Sequence, residues 1–501
     1  MSAPRSGRAT GATPGGAGGL VLGIDIGTSG LRTALFDLEA RVLAPTVAER
    51  RYRVRAVERG QAELDAPAML RALRASLRDT LAGRAAVAGL ARRPLLAVGG
   101  SCFWHSLLGV DAAGEPVTPV YTWADGRSAE DAARLRAQLD PHAVHRRTGC
   151  MIHSSFWPAK LAWVARTRPS TWRAVRHWMS PGEWLWWRLV GRPVCAHGMA
   201  TGTGLYDPGR LTWDPGMVDA VGLDPGRLLP IDDHPVRPGT AIGRGLGALA
   251  DAEWLPPIGD GAASNLGSGA AQPGVAAINL GTSAAVRVMR AGRQAVAPYG
   301  LFAYRVDTRR YLVGGAISNA GNLREWCARV LRLPSDPAAL ERALASRPMP
   351  AHGLDVLPFW GAERAPTWRD DVAGVIAGLT HASDAVDIVQ ALTEAGFQRL
   401  ARVIELMPRG ARPREVVVSG GGSRSGETVQ RLADVLGRAV RPCREADASL
   451  RGAAVLALER LGATPPPPPL GRPVAPRAAP AAAHAARRRS QEALEARFVD
   501  R

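Results

Sequence analysis

Asp25-Ile26-Gly27-Thr28-Ser29-Gly30-Leu31-Arg32 lies between two apolar runs, Leu20–Ile26 and Thr33–Asp37. The pattern reads strand, turn, strand. Gly27 and Gly30 let other groups approach the backbone closely. Thr28 and Ser29 offer hydroxyls and N–H groups to phosphate oxygens, and a carboxylate at the strand end, Asp25, can hold Mg²⁺ through water. The same residues also suit an ordinary polar β-hairpin turn. The design returns at Asn279-Leu280-Gly281-Thr282-Ser283, between the runs Ala276–Leu280 and Ala284–Met289. A shared Gly-Thr-Ser at one position in two like units points to a duplicated domain whose halves face each other. A third turn, Ser419-Gly420-Gly421-Gly422-Ser423-Arg424-Ser425, empties a β-branched strand, Glu415–Ser419, into three glycines with a helix to follow. Bare backbone and a helix N-terminus there suit a flat base or a ribose.

Further strands are expected at Leu95–Gly100 and Tyr311–Gly314, and helices at Pro67–Leu81, Ala129–Leu139, Asp384–Met407 and Thr428–Leu436. Strands alternating with helices make an α/β protein. At 501 residues with 46% hydrophobic content the chain suits two domains. Residues 1–18 are rich in small and turn-forming types and are expected to be disordered. From Ala463 to Arg501, opening on Pro465–Pro469, an extended linker with a short terminal helix is expected. Neither tail is expected to carry chemistry.

The formal charge is +18, but Lys160 is the only lysine, so the excess is a composition-wide arginine bias rather than a basic patch. No nucleic-acid motif accompanies it, and no nucleic-acid partner is expected. Cys102, Cys150, Cys195, Cys327 and Cys443 are widely spaced, which argues against a disulfide framework or a zinc site. The absence of a long apolar run or a cleavage-type leader predicts a cytoplasmic protein with no membrane partner.

The three turns come in an order that resembles the FGGY family of carbohydrate kinases, from about Leu20 to about Gly462. The resemblance also takes in "GQAELD", "WHSLLGVD", "WADGR", "TGCMIHSSFWPAKLAW", "GDGAASNLGSGA", "GGAISNAGN", "PFWGAERAPTW", "LADVLG" and "RGAAVLAL". It implies two ribonuclease-H-like domains of the actin/hexokinase/Hsp70 ATPase type with a central cleft. Residues 19–270 would form the N-terminal domain and 271–462 the C-terminal domain. It implies ATP-dependent phosphorylation of a sugar or sugar acid with Mg²⁺, and it leaves a homodimer open. By position, Asp25 would serve the metal; Thr28, Ser29, Arg32, Gly281 and Thr282 the phosphates; Gly420, Gly421 and Ser425 the adenosine. Asp260 stands where the family has its catalytic base. Independently, Asp260 also suits a helix N-cap, and the small residues after it leave room for substrate.

The substrate segments are read through the same resemblance. Trp104-His105 falls where relatives place a Met-His or similar pair against the sugar. In "TWADGR", Asp125 or Arg127 could face the sugar while the other forms a salt bridge. "TGCMIHSSFWPAKLAW" is most similar to the gluconokinase branch, and within it His153 and Lys160 could meet a carboxylate or hydroxyls. Asn319 and Asn322 could line the cleft, and Glu363-Arg364 reads as a structural pair. Gluconate, giving 6-phosphogluconate, is the acceptor implied. The alternatives are xylulose or another ketose or polyol, or a non-catalytic nucleotide-dependent regulator on the same fold.

Overall fold

The structure, a computed structural model, describes residues 18–243, 245–347, 350–361 and 363–498. The expected disordered tail, 1–18, falls outside the described residues except for Gly18. Two six-stranded sheets organise the rest. In the first, β1 (Leu20–Ile26), β2 (Gly30–Phe36), β3 (Ala48–Arg51) and β4 (Leu95–Cys102) lie in the order β3-β2-β1-β4. Two short strands, β5 (Glu253–Trp254) and β6 (Ile258–Gly259), pair with β4. The second sheet has β7 (Val275–Leu280), β8 (Ala284–Ala291), β9 (Phe302–Arg305), β10 (Arg310–Ile317), β11 (Glu415–Ser419) and β12 (Val440–Pro442). Their order is β9-β10-β8-β7-β11-β12.

The sheets repeat one plan. β1 and β2 form an antiparallel hairpin and β4 runs parallel to β1; β7 and β8 form the same hairpin and β11 runs parallel to β7. The Gly-Thr-Ser echo therefore marks a repeated unit in an α/β molecule. β1 is buried along nearly its whole length, as a near-continuous apolar run covered on both faces should be. β2 starts earlier than the apolar pattern predicts because the hairpin register already pairs Ile26 with Leu31 and Asp25 with Arg32.

The helices needed for the site are α1 (Ala66–Ala86), α2 (Asp260–Gly267), α3 (Ala385–Leu406), α4 (Gly426–Leu436), α5 (Ala448–Arg460) and α6 (Ala478–Phe498). Their ends are set locally: Asp65 caps α1, Asp384 and Asp387 form a capping box on α3, and Ser425 caps α4. α5 crosses α2 at backbone contact. A side chain on Gly452 would begin 1.8 Å from the Ala263 carbonyl, and one on Gly267 would begin 1.8 Å from that of Ala448. No residue but glycine allows that crossing.

The C-terminal stretch corrects the expectation of a linker with a short helix. Val474 bridges to Val440 at the edge of β12, and α6 packs against the second half. Gln491 donates to the Val356 carbonyl at 2.8 Å, Arg488 pairs with Glu405 at 2.9 Å, and Glu495 pairs with buried Arg399 on α3. Two arginines of the run, Arg487 and Arg488, are matched to Asp355 and Glu405 of the domain beneath. All five cysteines are buried and free. Among the described residues no helix is long and apolar enough to cross a membrane.

Candidate functional site

Three cavities run in series between the sheets. The first, about 200 Å³, is lined by Trp104, His105, Asp260, Arg287, Tyr304 and Arg364, among others. It shares Asn279 and Ser449 with a second of about 1000 Å³ that takes in Asp25, Arg32, Gly420, Gly421 and Asp447. Gly421 also borders a third, of about 360 Å³, with Gly281, Thr282, Gly396 and Phe397.

Asp260 is the first residue of α2, and the N-cap position belongs to Gly259. The helix start holds the carboxylate at the cavity wall, where its Oδ1 accepts from the Gly261 N–H at 2.8 Å. Burial raises its pKa above the ordinary carboxylate value, with Arg287 and that N–H pulling it back. A carboxylate shifted that way is better matched to accepting a proton. Gly261 lines the cavity, but the glycines on either side of Asp260 are also closely packed against protein side chains. A Cβ on Gly259 would lie 1.7 Å from the Trp104 ring, and one on Gly261 would lie 2.6 Å from Arg287 Nε. The glycines make room for Trp104 and Arg287.

Trp104 donates to the Gly198 carbonyl at 2.7 Å and stands edge-on to Tyr304, with ring centroids 5.0 Å apart. His105 Nδ1 lies 2.6 Å from the Gly202 carbonyl, so that nitrogen carries the hydrogen. Burial pushes the imidazole pKa down to about 3, which keeps the ring neutral. Both side chains line the first cavity, as does Thr28, whose hydroxyl accepts from Trp123 Nε1 at 3.1 Å. Two residues that sequence reasoning missed stand with them. Arg287 projects from β8, and Arg364, read from sequence as the partner of Glu363, faces the cavity instead with its guanidinium 4.6 Å from the Trp123 ring centre. Glu363 pairs with Arg399.

On the second cavity, Asp25 closes β1 and accepts from the Ser101 hydroxyl on β4. Burial, with Asp447 and Asp260 adding to it, pushes its carboxyl up to about 8; the Ser101 hydrogen bond and then Arg32 offset only part. Negative groups gathered with so little compensation favour a cation. Among the described residues no three His, Cys, Asp or Glu side chains form a metal cage. One or two carboxylates with the remaining ligands from water and phosphate suit Mg²⁺, so the residues present fit that ion. Arg32 is half-exposed and pairs with Asp447 at 2.6 Å. Ser29 lies apart, on a smaller cavity with Asp25, Arg32 and Glu49.

At the far end, Gly420 adopts φ +90° and a Cβ there would meet the Leu280 carbonyl at 2.6 Å. The turn after β11 is thus pressed onto the end of β7, which brings Gly421 beside Gly281 and Thr282. Ser425 is used structurally: its hydroxyl accepts from the Thr428 N–H and donates to Glu341 at 2.8 Å.

The remaining sequence candidates do not line these cavities. Asp125 pairs with Arg127 at 2.6 Å and accepts from the Ala62 N–H. Lys160 is buried and donates to the Ser154 and Ser155 carbonyls; burial pushes its pKa down to about 7. His153 Nε2 lies 3.0 Å from Asp370 Oδ1. Asn319 and Asn322 hydrogen-bond each other at 3.1 Å.

Residues 20–240 match the N-terminal domain of the FGGY family of carbohydrate kinases, and residues 276–459 match its C-terminal domain. A gluconokinase of Bacillus subtilis (strain 168) is 27% identical over 373 residues, 72% of this chain and 73% of that protein. A xylulose kinase of Streptomyces rubiginosus is 33% identical over 366 residues, 70% and 72% respectively. The crystal structure of a gluconate kinase from Lactobacillus acidophilus superposes with a TM-score of 0.87 at 24% identity, over 96% of this chain and 98% of that one.

Proposed function

This chain belongs to the FGGY family of carbohydrate kinases, and on that premise we propose that it phosphorylates gluconate from ATP, with Asp260 as the base. The observation that carries the chemistry is one half-buried carboxylate, Asp260, on the acceptor cavity where that cavity joins the large one lined by Asp25 and Arg32. The acceptor hydroxyl gives its proton to Asp260 as its oxygen attacks the γ-phosphorus. The bond from that phosphorus to the β-phosphate oxygen breaks, and ADP leaves. Asp25 would hold Mg²⁺, which when bound neutralises phosphate charge. Arg32, Thr28 and Ser29 from one hairpin and Gly281 and Thr282 from the other would hold the phosphates. Gly420 and Gly421 would border the adenosine, and the Ser425 hydroxyl would shape that wall through α4. A cytoplasmic site of action, where ATP is supplied, is part of the same reading.

Gluconate as acceptor is supported by the Thr148–Trp163 segment and by the gluconokinase relative. A ketose acceptor is the second reading, favoured by the higher identity to the xylulose kinase. The test is ADP release across gluconate, other aldonates, xylulose, ribulose and glycerol. Asp260→Asn should cut turnover on the order of 10³-fold while ATP still binds. Near-native turnover in that variant would remove Asp260 from the mechanism, and preference for a ketose would replace gluconate.

A further inference from the structure

The cavity beside Asp260 carries a surplus of positive charge. The side chains on its wall that bear formal charge are Asp260, Arg287 and Arg364, since His105 is held neutral. Two guanidinium groups face one carboxylate. Arg287 Nε and Nη1 and Arg364 Nε are sealed from solvent and have no hydrogen-bond partner among the described residues. Arg364 is 7% exposed and spends one Nη2 hydrogen on the Ile317 carbonyl at 3.0 Å. A buried donor without a partner is costly, and a buried cation without a counter-charge more so. Structures rarely leave such groups idle away from a ligand site. The glycine at 261 is required by Arg287 itself, and Trp123 stacks on Arg364, so both groups are held in place before any ligand arrives.

We infer that Arg287 and Arg364 form a carboxylate-recognition site that grips the anionic end of the acceptor while a hydroxyl of the same molecule reaches Asp260. One substrate carboxylate neutralises the surplus charge and accepts from the orphaned N–H groups, a geometry that guanidinium satisfies in a planar fork. The chemical class is a polyhydroxy carboxylate small enough for about 200 Å³. The phosphates of the co-substrate are a less suitable occupant, because the larger cavity with Asp25, Arg32 and Gly420 is not lined by either arginine. This assignment rests on the reading of Asp260 as the group facing the acceptor, and it moves the anion site away from His153 and Lys160.

The experiment compares kcat/KM for gluconate and for glucitol, the same carbon chain with its carboxylate reduced to an alcohol. It uses the wild type, Arg287→Met, Arg287→Lys and Arg364→Gln, with melting temperature and ATP binding as folding controls. The wild type should prefer gluconate. The gluconate-to-glucitol ratio should fall on the order of 100-fold in Arg287→Met and less in Arg364→Gln, with Arg287→Lys recovering part. Gluconate, and not glucitol, should raise the wild-type melting temperature, a readout that does not depend on turnover. If the wild type prefers gluconate but the ratio survives both replacements, the carboxylate site is wrong and the gluconate reading stands. Equal loss on both acceptors would assign the arginines to phosphoryl transfer or to the fold. A wild type that favours a ketose and ignores the carboxylate would overturn both readings.

Discussion

In the first half Asp25 sits beside Ser101 on the neighbouring parallel strand; in the second, Asn279 sits beside Ser419 in the same register. Both hairpins carry Gly-Thr-Ser at the turn, and both turns close on their own backbone, Gly27 N–H to the Gly30 carbonyl and Gly281 N–H to that of Ser283. The chemistry diverges at one atom of the side chain. Ser101 donates to Asp25, whereas the Ser419 hydroxyl is buried without a partner among the described residues. A repeated scaffold has thus kept its backbone function, N–H groups at a turn, on both sides and kept a carboxylate on one. Two carboxylates at these positions would set a second negative charge against a phosphate chain; one leaves a place for a single cation.

The strongest way to break the asymmetry is Asp25→Asn, which makes the first hairpin imitate the second. Turnover should fall on the order of 10³-fold with the fold intact, measured by ADP release over a Mg²⁺ series. Acid should part the halves next. His105 and His153 both belong to the first half, and burial pushes their pKa values down to about 3 and about 4. The unfolded chain takes up these protons near 6.5 and the folded one does not. The stability they contribute is therefore fully present above about pH 6.5 and is lost as pH falls towards 4, at about 1.4 kcal/mol per pH unit for each group. Thermal melts between pH 7.5 and 4.5 should show the decline, and His153→Asn should flatten it. The finest comparison is between the serines. Ser101→Ala strips a hydrogen bond from the half-buried Asp25 carboxyl and should cost about 1–2 kcal/mol, while Ser419→Ala should stay within about 0.5 kcal/mol of neutral by denaturant titration. Equal effects would mean that the hairpins do not differ as Asp25 and Asn279 imply.

Much of this was readable before any coordinates. The strands beside the turns were legible because buried strands write themselves as apolar runs, and their repetition announced two like sheets. Asp260 was legible through its motif, but the reason for its glycine neighbours was not, since Trp104 comes from the turn after β4 and Arg287 from β8. Arg287 leaves a signal in the sequence: a charge set between Val286 and Val288 in the middle of an apolar strand. Arg364 left a misleading one, because adjacency to Glu363 looks like pairing although consecutive side chains point apart. Lys160 attracted notice as the sole lysine, yet rarity in composition says nothing about direction, and its amine turns inward. The packed tail was hidden because polyproline and arginine-rich helices are written alike whether or not acidic partners wait on the domain.

That packed tail also bears on the order in which the molecule can be made. α3 gives Thr393, Gly396 and Phe397 to the cavity suited to a flat base, and on its other side Glu394 and Arg399 meet His484 and Glu495 of α6. A chain leaves the ribosome from its N-terminus, so α3 emerges well before the helix that covers it. A message cut short ahead of codon 478 would still encode both sheets and every turn of the cleft. It would deliver them without the partners that Glu394 and Arg399 find in His484 and Glu495, so the back of that cavity's wall is finished only when α6 docks.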